Sequence, residues 1–136
     1  MKNKGEYQVR VIYADTDAMG IVYYANYLKW FEIGRNELMR DMGIAYGDLE
    51  QSGYSMPVIE LGCEYLYPAR YDDLLVIETV VTTLRRASIR FDYVIYSEEK
   101  DRILAEGFTR HPFMNSKGKI MRVPQHIADI IINKEE

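Results

Sequence analysis

Asn26-Tyr27-Leu28-Lys29-Trp30-Phe31-Glu32-Ile33-Gly34-Arg35-Asn36-Glu37-Leu38-Met39-Arg40-Asp41-Met42, closed by Gly43, reads as one long amphipathic helix. At about 100° per residue, Tyr27, Trp30, Phe31, Gly34, Leu38 and Met42 share one broad apolar face, with Leu28 and Met39 at its flank. Lys29, Asn36 and Arg40 point the other way. Asn26 is the expected N-cap, and Gly43 the expected C′ residue. Gly34 interrupts the apolar arc, where Ala would favour helix by about 1 kcal/mol, so close approach of another backbone is expected there. An arc this wide predicts a helix largely surrounded by a curved sheet.

The flanking sequence supplies that sheet. Upstream, Val9, Val11 and Tyr13 alternate with Gln8, Arg10 and Ile12, which predicts a strand over 7–13, followed by a loop from Asp15 to about Ala25. Downstream comes a short helical or irregular piece (45–52), then four runs with strand character. Residues 58–67 alternate and end at Pro68. Residues 74–84 are apolar at nearly every position, as in a strand covered on both faces. Ile89, Phe91, Tyr93 and Ile95 alternate with Ser88, Arg90 and Asp92, and residues 103–113 follow a turn. Asn115-Ser116-Lys117-Gly118 is a turn signal before a short strand expected at 120–122. Pro124 opens a terminal helical turn with Ile127, Ile130 and Ile131 on one side, and 133–136 are expected to fray. One strand, one long helix and then antiparallel strands define an α+β domain with its helix on one sheet face.

Composition narrows the function. A chain of 136 residues suits one domain. The net charge of −4 leaves no broad basic face, so no nucleic-acid partner is expected. A single cysteine, Cys63, permits neither an internal disulfide nor a multi-cysteine metal site. No apolar run approaches the roughly 20 residues that span a bilayer, and Met1 leads into a strand without an apolar signal segment. A cytoplasmic protein without membrane insertion, metal or bound cofactor is expected.

The chemistry concentrates in Asp15-Thr16-Asp17-Ala18-Met19-Gly20-Ile21-Val22-Tyr23-Tyr24-Ala25-Asn26-Tyr27. This segment resembles the D-x-D-x-x-G-[IV]-V-[YW]-x-x-N-Y signature of the 4-hydroxybenzoyl-CoA thioesterase family. Within that family it is most similar to bacterial acyl-CoA thioesterases encoded with Tol-Pal envelope systems. Further family-like segments follow in order at 68–73, 86–93, 104–107 and 115–124. The Tol-Pal members usually carry His where this chain has Tyr24, and the hydroxybenzoyl enzymes carry Tyr there.

The resemblance implies a hot-dog fold: a five- to six-stranded antiparallel sheet wrapped around one central helix. It implies a homodimer joined edge to edge, often paired again into a homotetramer, with sites at the subunit interface. It implies hydrolysis of an acyl-CoA to free acid and coenzyme A, the coenzyme being part of the substrate. Asp17 is then the nucleophile or general base, and the backbone amide of Tyr24 polarises the thioester carbonyl. Gly20, Tyr23, Asn26 and Tyr27 belong to the same motif as substrate-binding positions. Arg86 and Arg90 are candidate contacts for the coenzyme A phosphates, with Arg85, Lys117 and Lys119 also available.

The residues alone allow other readings. Asp15 and Asp17 could simply end a strand and cap a turn, and that reading is kept for Asp15. A calcium loop starting at Asp15 would need an oxygen ligand at Met19 and Glu at Asn26, which this chain lacks. An aspartyl-phosphate phosphatase would need alternating βα units. A dehydratase of the same fold would use a His, yet His111 and His126 both read as structural or solvent-facing. Tyr23, Tyr24, Tyr27, Tyr54, Tyr65 and Tyr67 are candidates for an aromatic-lined pocket. A non-catalytic protein that binds acyl thioesters as a sensor or carrier-associated module is the alternative function. A structural partner of the envelope is a third.

Overall fold

The structure, a computed structural model, describes residues 3–132. In chain order it contains β1 (Lys4–Arg10), a 3-10 turn (Tyr13–Asp15), α1 (Asn26–Asp41), α2 (Tyr46–Gln51), β2 (Glu60–Tyr65), β3 (Leu74–Leu84), β4 (Ser88–Tyr96), β5 (Ile103–Pro112) and α3 (Gln125–Ile132). The five strands form one sheet in the order β1-β3-β4-β5-β2, and every neighbouring pair is antiparallel. The predicted sixth strand at 120–122 is absent: Ile120 makes only an isolated bridge to Met114. The terminal fraying expected at 133–136 lies outside the described residues.

Side-chain alternation puts one sheet face on α1. Leu75 and Ile77 of β3, Phe91, Tyr93 and Ile95 of β4, and Ala105 of β5 are almost fully buried on this inner face. Tyr27, Trp30, Phe31, Gly34 and Leu38 bury the facing side of α1. Fully burying one such apolar side chain is worth about 1.5–3 kcal/mol, so this layer dominates the stability of the fold. β3 is not covered equally on both sides. Its outer face holds the buried Val76 but also the half-buried Glu78 and Val80 and the exposed Thr82.

Gly34 marks a close approach of helix and sheet. A Cβ there would sit 2.2 Å from Thr79 Oγ1 and 2.9 Å from Ile77 Cγ2, so the glycine accommodates side chains of β3 rather than the expected backbone. Gly43 ends α1 at φ +84°. Its amide donates to Arg40 O at 3.0 Å and that of Ile44 to Met39 O at 2.8 Å, the paired bonds of a Schellman stop.

Three boundaries differ from the sequence reading. β1 lies three residues earlier, because the chain leaves the sheet after Val11 and Tyr13 begins the 3-10 turn. β2 is shorter at both ends than the alternation over 58–67 suggests. Pairing with β5 covers only Glu60–Tyr65, and the flanking apolar residues stand exposed along this edge. Asn26 is the first helical residue rather than the cap. Ala25 holds the cap position with helical dihedrals, and the Asn26 side chain instead donates to Asp15 O at 2.8 Å.

Candidate active site

The loop before α1 separates the two acids of the motif into different jobs. Asp15 is 4% exposed. Its carboxylate accepts the Ile12 amide at 3.1 Å and the Lys29 ammonium at 2.7 Å, while its carbonyl accepts the Tyr23 amide and the Asn26 side chain, both at 2.8 Å. These bonds tie the loop to the first turn of α1. Asp17, by contrast, sits at the tip of a tight turn. Its amide donates to Ile21 O at 2.8 Å, the Gly20 amide donates to Asp17 O at 3.0 Å, and Gly20 adopts φ +82°, a conformation that favours glycine. One carboxylate oxygen of Asp17 accepts the Met19 amide at 2.8 Å. The other, Oδ2, has no partner among the described residues.

The helix start supplies complementary donors. An α-helix leaves its first amides unpaired. Here the amides of Asn26, Tyr27 and Leu28 turn back to Tyr23, Tyr24 and Ala25 carbonyls at 2.9, 3.3 and 3.1 Å, tightening the entry into 3-10 geometry. The open donors therefore move upstream to Tyr24 and Ala25, whose amides meet no acceptor among the described residues. Tyr65, at the end of β2, donates its hydroxyl to Tyr24 O at 2.9 Å. A peptide is planar and trans, so holding that carbonyl also fixes the direction of the Ala25 N–H.

Aromatic rings surround this point. Tyr65 meets Tyr27 edge-on at 5.0 Å and Tyr24 edge-on at 6.3 Å. Tyr23 lies against Tyr24 at 4.7 Å. Burial pushes the Tyr27 and Tyr65 phenols above their ordinary value, so both stay neutral at physiological pH. Of the tyrosines considered from sequence, Tyr24, Tyr27, Tyr65 and Tyr67 border one cavity of about 260 Å³. Tyr54 packs elsewhere, on Phe113 at 5.3 Å.

The two arginines lie apart from this cluster within the chain. Arg86 is exposed in the β3–β4 turn, and its carbonyl accepts the Val123 amide. Arg90 faces the outer side of the sheet, forks onto both carboxylate oxygens of Asp92 at 3.1 Å, and stacks over Phe108 at 4.1 Å. Register pairs Arg90 with Arg110, and Arg110 with Glu60, at the opposite end of β2 from Tyr65.

His111 belongs to a separate constellation that the sequence reading left unassembled. Arg35 of α1 donates to the Tyr93 hydroxyl at 3.1 Å, Tyr93 and Thr109 share a bond of 2.6 Å, and Thr109 meets His111 Nε2 at 2.8 Å. His111 Nδ1 lies 3.0 Å from Met56 O. A guanidinium only donates and a carbonyl only accepts, so the chain runs one way and His111 carries its proton on Nδ1. Burial first, and then the Arg35 charge, push the His111 pKa down to about 4.

A single long helix clasped by an antiparallel sheet, with an acid-bearing turn at the helix start, is the hot-dog architecture. The chain belongs to the thioesterase-like superfamily, whose family model matches residues 11–131. The acyl-CoA thioesterase YbgC of Haemophilus influenzae is 39% identical over 68% of each chain. The crystal structure of protein AQ1494 from Aquifex aeolicus superposes with a TM-score of 0.88 at 31% identity, over 93% of this chain and 98% of that one. A 4-hydroxybenzoyl-CoA thioesterase structure shares the fold at TM-score 0.85 and 21% identity, over 95% and 99%. The chain is thus a hydrolase of the thioesterase class.

Proposed function

We propose that this protein hydrolyses acyl-CoA thioesters, with Asp17 as the reacting carboxylate and the Tyr24 amide, assisted by that of Ala25, as the oxyanion donors. One observation carries the reading: a carboxylate with an unbonded oxygen and two amides without acceptors lie on the same short segment at the positive end of a long helix. As the carbonyl becomes tetrahedral, its oxygen gains charge, and fixed N–H groups stabilise that charge without reorganising. Asp17 attacks the carbonyl carbon directly or takes a proton from a water that does so. In either case the C–S bond breaks and the coenzyme A thiolate leaves and is protonated. The direct route leaves an acyl anhydride on Asp17 that a second step hydrolyses. Coenzyme A enters as part of the substrate, and neither step calls for a metal or a further cofactor.

The working unit is a homodimer formed through the β2 edge, or a dimer of dimers. β2 pairs with β5 on one side only and leaves Ile59, Leu61, Tyr65 and Tyr67 exposed along the other. Antiparallel pairing about a two-fold axis would set the Glu60 end of β2 beside the partner's Tyr65 end, a shift of five residues or about 17 Å. The turn carrying Arg86 lies at that same far end, so it would approach the other protomer's site and serve the phosphates of coenzyme A there. Arg90 reaches that role only by giving up Asp92. No helix among the described residues is long and apolar enough to cross a membrane, and a cytoplasmic enzyme fits the reading. Its motif resembles that of the Tol-Pal-associated thioesterases apart from Tyr24, and co-purification with envelope components would test such a link.

Incubation with a panel of acyl-CoAs and a thiol-reactive dye tests the function. Thiol release well above background, dependent on enzyme concentration, is the expected result. Tight binding of acyl-CoA with no release would make the protein a sensor instead.

A further inference from the structure

We infer that Asn26 is a positioning residue: its side chain sets the Asp17 carboxylate against the Tyr24 amide and does not touch the acyl-CoA. This rests on the thioesterase reading above. Asp17 and Tyr24 lie on the two arms of a small hairpin. Its rungs are the Thr16–Val22 bridge, the Asp17 amide on Ile21 O at 2.8 Å and the Tyr23 amide on Asp15 O at 2.8 Å. Tyr24 follows the last rung and turns into α1, so the ladder does not reach its amide. Asn26 bridges that gap. Its Nδ2 donates to Asp15 O at 2.8 Å, which joins the first helical residue to the base of the hairpin. This strut lies two residues from the acid along one arm and two from the amide along the other.

The other ties across this junction are of a different kind. Lys29 reaches the Asp15 carboxylate at 2.7 Å through a long, half-exposed side chain, which fixes geometry loosely. On the opposite side, the Val22 amide donates to Ala69 O at 2.9 Å, and the Ala69 amide donates to the Tyr27 hydroxyl at 3.1 Å. Those bonds keep the hairpin docked on the helix when Asn26 is changed. Asn26 differs in being short, planar and half-buried. It and the Tyr23 amide take both lone pairs of Asp15 O, so its loss leaves a single bond at the hairpin base. The helix start can then shift against the acid, and a misplacement of about 1 Å costs about 10²-fold in rate. The strut uses the Asp15 carbonyl and not its carboxylate, so Asp15→Asn leaves it in place.

Two substitutions separate positioning from its rivals. Asn26→Ala removes the donor and keeps a strong helix former at the first helical position. Asn26→Asp keeps the shape but cannot donate, and an acid in the first turn of a helix is otherwise favourable, so the fold should be kept. The test measures kcat and KM for wild type and both variants on the fastest acyl-CoA of the panel, with thermal unfolding alongside. Calorimetry of the same acyl-CoA on Asp17→Asn, with and without Asn26→Ala, reads affinity without turnover. Both variants should lose about 10- to 100-fold in kcat well below their unfolding temperatures, with KM and affinity held within about threefold. Near-normal kcat in Asn26→Ala would overturn the inference, since a loss in Asn26→Asp alone reports its added charge. A raised KM and weakened affinity at unchanged kcat would make Asn26 a substrate contact and overturn it too. So would a kcat loss confined to temperatures at which the variants unfold. Each of these leaves the thioesterase reading intact, whereas a wild type that releases no thiol overturns that reading itself.

Discussion

Two polar constellations lie along α1, and they differ in what they leave over. At the middle of the helix, the chain from the half-buried Arg35 through Tyr93, Thr109 and His111 to Met56 O joins donor to acceptor at every step, and its last three side chains are sealed in the core. At the N-terminus, Asp17 Oδ2 and the amides of Tyr24 and Ala25 are open, and Tyr24 is 61% exposed. The same contrast recurs within the loop, where Asp15 is bonded through both carboxylate oxygens and Asp17 through one. Polar groups with every bond used hold a structure in place. Those with bonds to spare, held rigidly by the first kind, are available to a substrate.

The contrast can be broken most severely at Asp17. Asp17→Asn keeps the side-chain shape but removes the charge and the proton acceptor, and kcat should fall by about three orders of magnitude or more. Acyl-CoA affinity should change far less, as calorimetry would show. Next comes the amide itself. Tyr24→Pro deletes that N–H beside the helix start, and kcat should fall about 10²–10³-fold with helical content retained by circular dichroism. A variant with near-normal kcat would remove Tyr24 from the oxyanion site.

The buried chain should respond in stability rather than rate. Its His111 is neutral when folded, with a pKa pushed down to about 4 from an ordinary value of 6.5. Between those values the unfolded chain binds a proton that the folded one does not, so stability rises with pH across this window. It is fully present above about pH 6.5 and is lost as pH falls through about 4. The stake is roughly 3 kcal/mol, measurable by urea unfolding at a series of pH values. His111→Asn should flatten that slope whatever it does to the baseline, and an unchanged slope would assign it to other groups. The smallest effect is expected at Tyr65→Phe, which removes the tie to Tyr24 O. A loss of about fivefold in kcat with little change in KM fits one hydrogen bond of about 1 kcal/mol. A change in KM alone would make Tyr65 a substrate contact rather than a positioning residue.

Much of this was legible in the residues, for reasons that differ by element. β3 keeps its predicted bounds although only its inner face is fully covered, and β4 matches its predicted alternation to within one residue, since both pack on a solid inner layer. α1 was legible from its apolar arc and from Gly43. Its true start was not, since an Asn before a helix satisfies the N-cap pattern whether or not the chain has already turned into 3-10 geometry. β2 was overestimated because its alternation continues past Glu60–Tyr65, the stretch that pairs with β5. Asp17 was distinguished from Asp15 by resemblance alone. The structure adds a physical contrast between them, since the Lys29 and Ile12 partners of Asp15 appear only once the loop has folded onto α1. The Arg35–His111 chain could not be read at all, because the register of β4 on β5 and the packing of α1 on the sheet bring residues 35, 93, 109 and 111 together.

The most direct test is the rate of coenzyme A release by Asp17→Asn and Asp15→Asn, measured side by side on the best acyl-CoA. Both variants must first prove folded and oligomeric by circular dichroism and gel filtration. Asp15→Asn can still accept the Ile12 amide and should lose less than about tenfold, while Asp17→Asn should lose about a thousandfold or more. An active Asp17→Asn beside a dead Asp15→Asn would contradict the assignment, and full activity in both would contradict the mechanism.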